Sequence, residues 1–400
     1  MKQLKTKLLT AALLSGIFLF YGFQGDKSTP KWYKGNLHCH SYWSDGDAFP
    51  EVVMEWYKSH GYQFISLTDH NILAEGEKWK LIPDNETHLK AFGDYRAKYG
   101  PEWVKFSSDT GRFSVRLKTL EEYKSLFEEK NKFLILPSEE ISDGIDKKPV
   151  HLCAANIRSV IPPQKGGSVT EVMQNDINAV LHQEKETGLP MMVQINHPNF
   201  HFAITTEDII PLEGARFLEV YNGHPQVYNY GDETHPGTET MWDQINLTFA
   251  RKGKPLLLAV ATDDTHSYHV QGIKSANPGR GWVMVKAEEL TTASLIEAMK
   301  RGDFYASTGV TLKEVSFRKN RLKISVQEEP GVNYKVQFIG CKKADGQVSV
   351  LKEAPGGKAV FEVDRDILFV RAKIVSDKMK ENPFREGDRE VAWCQPVIPE

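Results

Sequence analysis

The chain has 400 residues, of which 40% are hydrophobic and 26% are charged, as is ordinary for a soluble globular protein. This length allows a large core and suggests about two or three domains. The formal net charge of −3 argues against a general nucleic-acid binder, which normally carries an excess of basic residues. We therefore expect an enzyme-sized protein that does not bind nucleic acid.

The N-terminal segment differs from the rest of the chain. Lys2, Lys5 and Lys7 precede an apolar run over residues 8–23. A basic segment followed by an apolar run too short to span a bilayer comfortably is typical of a secretory signal. We predict a signal peptide over residues 1–25 and an exported protein, periplasmic or secreted. Because the cleavage site is unclear, an uncleaved membrane anchor remains the alternative.

Between residues 26 and 310, short apolar segments alternate with helical patterns. Strands are predicted at residues 62–68, 132–137, 150–156, 191–196, 217–221, 255–262 and 282–285. Helices are predicted at residues 50–60, 119–130, 169–187 and 292–300. Several strand segments are nearly continuous apolar runs, which is typical of strands buried on both faces. This alternation predicts an α/β domain built on a parallel sheet or barrel.

Two segments do not follow this alternation. Residues 73–131 form a long polar insertion, which either folds over the predicted site or decorates the surface. Residues 311–400 contain short β-type runs separated by turn residues, at 322–326, 334–339, 359–363 and 368–374. These runs predict a C-terminal antiparallel β-sandwich domain. Cys341 and Cys394 lie in this domain and could pair in an oxidising compartment, although their spacing does not decide it.

Histidines and carboxylates recur at the ends of the predicted strands. His38 and His40 are two residues apart, so on an extended segment they share one face while Cys39 points away. Asp264 and His266 repeat this spacing directly after a predicted strand. The C-terminal ends of strands in a parallel barrel converge on one mouth, so such groups can meet in space. The remaining members of the set are His70, Glu139 or Glu140, His151 and His197.

A lone histidine at a strand end is more often a hydrogen-bonded structural residue than a metal ligand. Here, however, six of the 13 histidines lie at predicted strand ends, several of them beside carboxylates. Neutral imidazoles combined with carboxylates suit Zn, Mn or Fe better than calcium. The recurrence therefore predicts a metal cluster.

The motifs that carry these residues resemble those of the polymerase-and-histidinol-phosphatase (PHP) family, in order and spacing, across residues 33–310. They are Leu37-His38-Cys39-His40-Ser41 with Ser44-Asp45-Gly46, Thr68-Asp69-His70-Asn71, Glu139-Glu140-Ile141-Ser142, His151, Asn196-His197-Pro198 and Asp263-Asp264-Thr265-His266. Residues 301–309 further resemble the branch that contains carbaryl-hydrolase-type enzymes. The resemblance implies a distorted (β/α)7 barrel with two or three divalent metals, and it does not cover the C-terminal region.

Carried over by motif, the resemblance implies three overlapping sets of ligands. His38, His40, Glu140 and Asp264 would hold one metal, and Glu140 would bridge to a second metal completed by His151 and His197. Asp45, His70 and His266 would hold a third. Glu139, Asp47 and Asp263 are the alternatives to Glu140, Asp45 and Asp264. All nine positions carry residue types that can bind a metal.

Metals of this kind lower the pKa of a bound water and polarise the scissile oxygen, so no serine or cysteine nucleophile is needed. We therefore predict a hydrolase in which Glu140 and Asp264 serve catalysis and Arg280 clamps an anionic substrate. A surface arginine in a glycine-rich turn is the plainer interpretation of Arg280. Asp69 either orients a ligand or faces solvent.

Three functions remain open at this point. A phosphoesterase acting on a small anionic substrate is favoured, and a hydrolase of carboxylic ester, carbamate or amide bonds is the alternative. A non-catalytic binding protein is disfavoured because the ligand set is complete. His201 and His224 could protonate a leaving group, although each is better explained as a surface histidine.

Overall fold

The structure, a computed structural model, describes residues 29–400. The predicted signal peptide over residues 1–25 lies outside the described residues. The helices are α1 (Pro50–Ser59), α2 (Glu86–Trp103), α3 (Leu120–Phe127), α4 (Val169–Thr187), α5 (Thr206–Ile209), α6 (Thr238–Lys252) and α7 (Thr292–Arg301). No helix among the described residues is long and apolar enough to cross a bilayer.

The strands fall into two groups along the chain. Those before residue 310 are β1 (Lys31–Asn36), β2 (Phe64–Ser66), β3 (Trp79–Leu81), β4 (Phe106–Asp109), β5 (Arg112–Arg116), β6 (Leu134–Leu136), β7 (Ser138–Ile145), β8 (Lys148–Ala155), β9 (Met192–Ile195), β10 (Phe217–Asn222), β11 (Leu258–Thr262), β12 (Trp282–Ala287) and β13 (Phe304–Ser307). Those after it are β14 (Leu312–Arg318), β15 (Arg321–Val326), β16 (Tyr334–Lys342), β17 (Ser349–Pro355), β18 (Lys358–Glu362), β19 (Ile367–Met379) and β20 (Arg389–Cys394).

Two sheets form the core of the first region. One has the order β11-β10-β9-β8-β7, and the other continues β13-β12-β1-β2-β6 into the C-terminal strands. Strands β1, β2 and β6 are parallel, as are β9, β10 and β11, while β7 and β8 form an antiparallel hairpin. Isolated bridges from Cys39 to Thr265 and from His70 to Glu140 join the two sheets.

This arrangement is a mixed α/β fold, and within residues 29–400 its strands do not close into one barrel. The prediction of a distorted (β/α)7 barrel is therefore confirmed only as far as the mixed α/β class. The expectation of a parallel sheet is wrong for β8, because the hairpin from β7 reverses the chain and β8 also pairs antiparallel to β9.

The C-terminal strands are antiparallel, as predicted, and they form two layers over one apolar core. Strands β14, β15 and β18 form a three-stranded sheet, while β17, β16, β19 and β20 extend the nine-stranded sheet of the first region. Val336, Phe338 and Ile374 lie in the shared core with Leu322 and Ile324 from the smaller sheet. The larger layer is thus continuous with the first region through the pairing of β20 with β13. The domain boundary at residue 310 stays a prediction.

All four cysteines are buried free thiols, so Cys341 and Cys394 do not pair in this structure. Cys394 lies on β20 opposite Tyr305 of β13. The thiol of Cys341 lies near the carbonyl of Asp345. The two sulfurs therefore have different surroundings, and neither contributes a crosslink to the fold.

The insertion over residues 73–131 has its own secondary structure. Strands β3, β5 and β4 form an antiparallel sheet, flanked by α2 and α3. Its aromatic core joins the first region, where the ring of Tyr95 stacks on that of Phe49 at 3.9 Å between centroids. The same insertion contacts the loop that follows His40, because Trp43 Nε1 donates to the carbonyl of Lys118. It therefore lies beside the predicted site.

Candidate metal centre

The structure brings all nine predicted ligand residues together at one end of the two sheets. Asp264 Oδ1 lies 3.2 Å from Nε2 of both His38 and His40. Glu140 Oε1 lies 3.2 Å from His197 Nε2 and 3.3 Å from His151 Nδ1. The side chains of His38 and His40 are 0% exposed, so this half of the cluster is withdrawn from bulk water.

Asp45 occupies the opposite, solvent-facing side of the cluster. Its Oδ1 atom lies 3.4 Å from His70 Nε2, 3.3 Å from His266 Nε2 and 3.8 Å from His40 Nδ1. The side chain of Asp45 is 57% exposed. The cluster therefore opens to solvent on the side of Asp45.

Backbone pairing explains the shared direction of the two dipeptide-spaced motifs. The amide of His40 donates to the carbonyl of Thr265, and the amide of Asp264 donates to the carbonyl of His38, each at 2.9 Å. Since alternate side chains of extended segments point to the same face, His38, His40 and Asp264 point into the cluster. Cys39 points the other way, with its thiol 3.3 Å from the carbonyl of Ser66.

Four subsets have ligand atoms close enough to one another to share an ion. They are His40-Asp45-His70-His266, His38-His197-Asp264, His38-Glu140-Cys153 and His70-Glu140-His151. The grouping overlaps the one implied by the PHP resemblance but differs in detail. His197 groups with His38 and Asp264, and the thiol of Cys153 enters one subset that the motifs did not indicate.

Several buried polar atoms in the cluster lack a hydrogen bond. These are Nε2 of His38, Nε2 of His40 and Oε2 of Glu140. His40 Nε2 lies 3.5 Å from Glu140 Oε2, and His38 Nε2 lies 3.3 Å from Glu140 Oε1. Leaving buried polar atoms unpaired is costly, and a cation held between them would satisfy all three. The residues present therefore fit divalent metal ions.

The protonation states also favour metal binding. Burial lowers the pKa of His40 to about 3, aided by the nearby rings of His266 and His70, so this imidazole is neutral. Burial alone raises the pKa of Glu140, but the surrounding histidines outweigh it and hold that pKa well below its usual range. For His70, burial is outweighed by Glu140 and Asp45, which raise its pKa to about 11. Neutral imidazole and ionised carboxylate are the ligand forms, so metal binding at His70 must displace a proton.

A glutamate that the motifs did not indicate orients the deepest ligand. Glu219, on β10, is 0% exposed, and its Oε1 lies 2.8 Å from His38 Nδ1. The same carboxylate accepts from the hydroxyl of Thr262 and from the amide of His197. A carboxylate on Nδ1 keeps the ring proton there, so Nε2 of His38 presents its lone pair to the cluster.

Other polar groups fix the carboxylates and the outer histidine. Asn196 Nδ2 donates to Glu140 Oε1 at 2.7 Å, and Asn222 Nδ2 donates to Asp264 Oδ2 at 3.1 Å. The hydroxyl of Ser142 lies 2.5 Å from His70 Nδ1. Asn196 and Ser142 stand within the quoted motifs but had no predicted role, while Asn222 and Glu219 lie in an apolar strand segment with no ligand signature.

The alternatives left open by the sequence are separated by the geometry. Glu139 points away from the cluster and accepts from the amide of Ile161. Asp47 accepts from the amide of Tyr268. Asp263 accepts from the amides of residues 279–281 and from the hydroxyl of Tyr57, so it anchors a turn.

Asp69 is buried at 2% exposure, which rules out a solvent-facing carboxylate. It accepts from the amide and hydroxyl of Ser41 and from the hydroxyl of Ser44. It therefore holds the loop that connects His40 to Asp45.

The structure does not support Arg280 as a clamp for an anionic substrate. Its side chain is 1% exposed, and its guanidinium donates to the carbonyls of Gly223, Gly272, Asn382 and Pro383. The donors of this guanidinium are directed at backbone carbonyls, so Arg280 ties two loops together instead of facing a ligand.

His151 is the ligand whose position was predicted for the wrong reason. It lies within β8, opposite Ser142, and not at a C-terminal strand end. Because β8 runs antiparallel to β9, its first residues lie beside the C-terminal end of β9, where Asn196 donates its amide to the carbonyl of His151.

Two further histidines differ in their relation to the cluster. His224 is half-buried, and its ring centroid lies 5.4 Å from that of His266. Burial lowers the pKa of His224 to about 4, so it is neutral at pH 7. His201 is exposed and contacts the ring of Phe200, which itself lies 5.2 Å from the ring of His197. His224 and Phe200 therefore border the cluster, whereas His201 lies outside it.

Comparisons with known proteins give weak likenesses only. No family model matches the chain, and no curated protein matches it. Among solved structures, it is similar to a two-domain protein from Bacteroides vulgatus ATCC 8482 containing a predicted PHP-like metal-dependent phosphoesterase. That match has 14% identity and a TM-score of 0.41, and it covers 89% of this chain and 93% of that one.

Two other solved structures are similar over shorter spans. A putative metal-dependent phosphoesterase from Bifidobacterium adolescentis ATCC 15703 has 12% identity and a TM-score of 0.28, covering 59% of this chain and 89% of that one. An amidohydrolase from Chromobacterium violaceum has 12% identity and a TM-score of 0.32, covering 68% and 96%. At these values the likenesses do not establish the reaction, and the carbaryl-hydrolase-type branch stays a prediction.

Proposed function

We propose that this protein is a metal-dependent hydrolase that acts on phosphoesters of small molecules. The observation that carries the proposal is the convergence of six histidines and three carboxylates, with buried ligand atoms of His38, His40 and Glu140 left without hydrogen bonds. Nine ligands are more than one ion of four or five coordination sites can use, so two or three divalent ions are proposed. Zn, Mn and Fe suit this ligand set.

The chain's own residues would share the work as follows. His38, His40 and Asp264 would hold an ion on the buried side, and Asp45 with His70 and His266 would hold one near solvent. Such ions supply a nucleophile from water near neutral pH and neutralise charge on the scissile group. Glu140 contacts four of the histidines, so it is the proposed bridge between metals.

Charge favours an anionic substrate. The three carboxylates of the cluster carry less negative charge than two divalent ions carry positive charge, so a loaded site has a net positive charge. Phosphoesters match such a site, because their non-bridging oxygens carry the compensating charge. Export, predicted from residues 1–25, and a small-molecule substrate are parts of the same proposal.

Hydrolysis of a carboxylic ester, carbamate or amide is the second candidate, based on the resemblance of residues 301–309 to the carbaryl-hydrolase-type branch. In the structure these residues span the end of α7 and strand β13. They pair there with β12 and β20 and are absent from the ligand subsets. The segment therefore serves sheet packing, and it does not favour one substrate class.

The proposal is tested on the purified protein after reconstitution with Mn, Zn or Fe. Elemental analysis should find two to three equivalents of metal, and one equivalent or less at saturation would count against the cluster. Phosphate monoesters and diesters should be hydrolysed, with activity lost on chelation and restored by metal. Turnover of a neutral carboxylic ester or carbamate, with no turnover of any phosphoester, would make the second candidate the correct one.

A further inference from the structure

The loss of Arg280 as an anion clamp leaves the question of which cation faces the substrate. The insertion over residues 73–131 contributes two candidates, Lys78 and Lys80, from the segment at β3. The ammonium of Lys80 donates to the carbonyl of Ser44 at 3.3 Å, and that of Lys78 donates to the carbonyl of Trp43. Both contacts fall on the loop that leads from His40 to Asp45, at the solvent-facing side of the cluster.

These two lysines differ from the other cations of the insertion. Lys90, Lys98, Lys118, Lys124 and Arg116 each have a carboxylate partner at ion-pair distance. Lys78 and Lys80 are half-buried, and no carboxylate oxygen among the described residues lies at that distance from either. The remaining cations of the insertion without such a partner are exposed on its outer surface. A half-buried cation without a counter-charge beside an anionic site is poised to receive one.

Lys80 is the better placed of the two. Burial and the neighbouring Lys78 lower its pKa, while Asp45 and Asp69 oppose that effect, so its ammonium senses the carboxylate on the outer side of the cluster. Its methylene chain runs beside the ring of Tyr42, with the ammonium 5.0 Å from the centroid. An ammonium has three donor hydrogens, and the carbonyl of Ser44 uses one.

We propose that Lys80 binds the anionic group of the substrate beside Asp45, so that the insertion supplies the cation that selects a terminal phosphoryl group. This inference rests on the proposed phosphoesterase function. It narrows the substrate class to phosphomonoesters, whose terminal group carries two negative charges that both the metals and an ammonium can contact. A phosphodiester presents a single charge shared between two ester groups, so it gains less from Lys80.

The test compares Lys80→Met with Lys80→Arg and with Lys90→Met as the matched control. Lys90 lies on α2 of the same insertion, exposed and paired with Asp94. A hydrogen bond to a charged group corresponds to roughly a 10- to 100-fold effect. Lys80→Met should lower kcat/KM for a phosphomonoester by about that factor, mostly through KM, with a smaller loss for a diester. Lys80→Arg should recover part of the loss, and Lys90→Met should match the wild type.

A binding measurement decides the inference independently of turnover. Inorganic phosphate, titrated calorimetrically into the metal-loaded protein, should bind about tenfold or more weakly to Lys80→Met than to the wild type. Metal content and melting temperature should be unchanged, which separates this effect from misfolding. Equal phosphate affinity in the two proteins overturns the role of Lys80, whereas normal phosphate binding without any phosphoester turnover overturns the proposed reaction and leaves the role of Lys80 standing.

Discussion

Charged side chains are buried at two places in this molecule, and they are balanced in different ways. At the contact between α6 and β19, Arg371 donates to both carboxylate oxygens of Asp243 and to Glu239, while Lys373 donates to the other oxygen of Glu239. Two cations thus meet two carboxylates. In the histidine cluster, by contrast, neutral rings and carboxylates approach each other with several buried atoms unpaired.

The difference indicates which site is complete without a ligand. A buried ion pair with good geometry satisfies its own charges, and its value lies in holding two elements together. A buried group of ligand-type atoms without hydrogen bonds is costly unless an ion occupies it. The contact at Arg371 is therefore structural, and the histidine cluster is proposed to bind ions.

The largest expected effect is on catalysis. Glu140→Gln should reduce turnover about a thousandfold, because the bridging carboxylate serves two metals and metal catalysis contributes several kcal/mol, with tenfold for each ~1.4 kcal/mol. Glu139→Gln is the matched control, since the neighbouring carboxylate points away from the cluster and a glutamine can still accept from Ile161. Steady-state kinetics with metal analysis checks this. An inactive Glu139→Gln beside a near-normal Glu140→Gln would contradict the geometry.

The next effect concerns stability and tests the other side of the comparison. Arg371→Met should lower the free energy of unfolding by about 3–5 kcal/mol, because it leaves Asp243 buried without its partner. Arg321→Met is the control, since Arg321 and Glu362 form an exposed pair worth about 1 kcal/mol or less. Urea denaturation measures both variants. Equal small losses would show that the buried network does not hold the C-terminal strands to α6.

Orientation of the metal ligands should have a smaller effect. Glu219→Gln should weaken metal binding about 10- to 100-fold, because the carboxylate that orients His38 is lost. Glu213→Gln, on an exposed side chain shortly before β10, should leave metal affinity unchanged. Competition with a chelator of known affinity provides the measurement. Unchanged affinity in Glu219→Gln would mean that packing alone orients His38.

The smallest effect concerns a buried carboxyl that has neither a metal nor a paired arginine. Burial, with Asp143 adding to it, raises the pKa of Asp176 on α4 to about 7. Because its pKa in the folded state exceeds the unfolded value near 4, this group contributes stability below about pH 4, and that contribution is lost as pH rises through about 7. In wild type minus Asp176→Asn, the unfolding free energy should fall across this window by on the order of 2 kcal/mol.

Denaturation between pH 4 and pH 8 measures this difference. Glu186→Gln, on an exposed side chain of the same helix, is the control and should show no comparable slope. A wild type whose stability relative to Asp176→Asn does not depend on pH would show that the carboxyl of Asp176 stays ionised in the folded protein.

Part of the fold could be predicted because it depends on local periodicity. Helices α1, α3, α4 and α7 match predicted segments within a few residues, since their apolar spacing repeats along a single helix. Helix α2 and the small sheet of the insertion were not predicted, because polar surfaces there obscure the pattern. The antiparallel direction of β8 also escaped prediction, since an apolar strand has the same sequence pattern in either direction.

The candidate site divides along the same line. The sequence by itself determined that His38 and His40 share a face, and likewise Asp264 and His266, because a two-residue spacing on an extended chain has that consequence anywhere. Only the tertiary structure decided that Glu219 orients a ligand, that Arg280 is consumed by carbonyls and that Lys80 faces the cluster. The physical reason is that side-chain direction along a strand is a local property, whereas the partners of a polar group depend on what the fold packs against it.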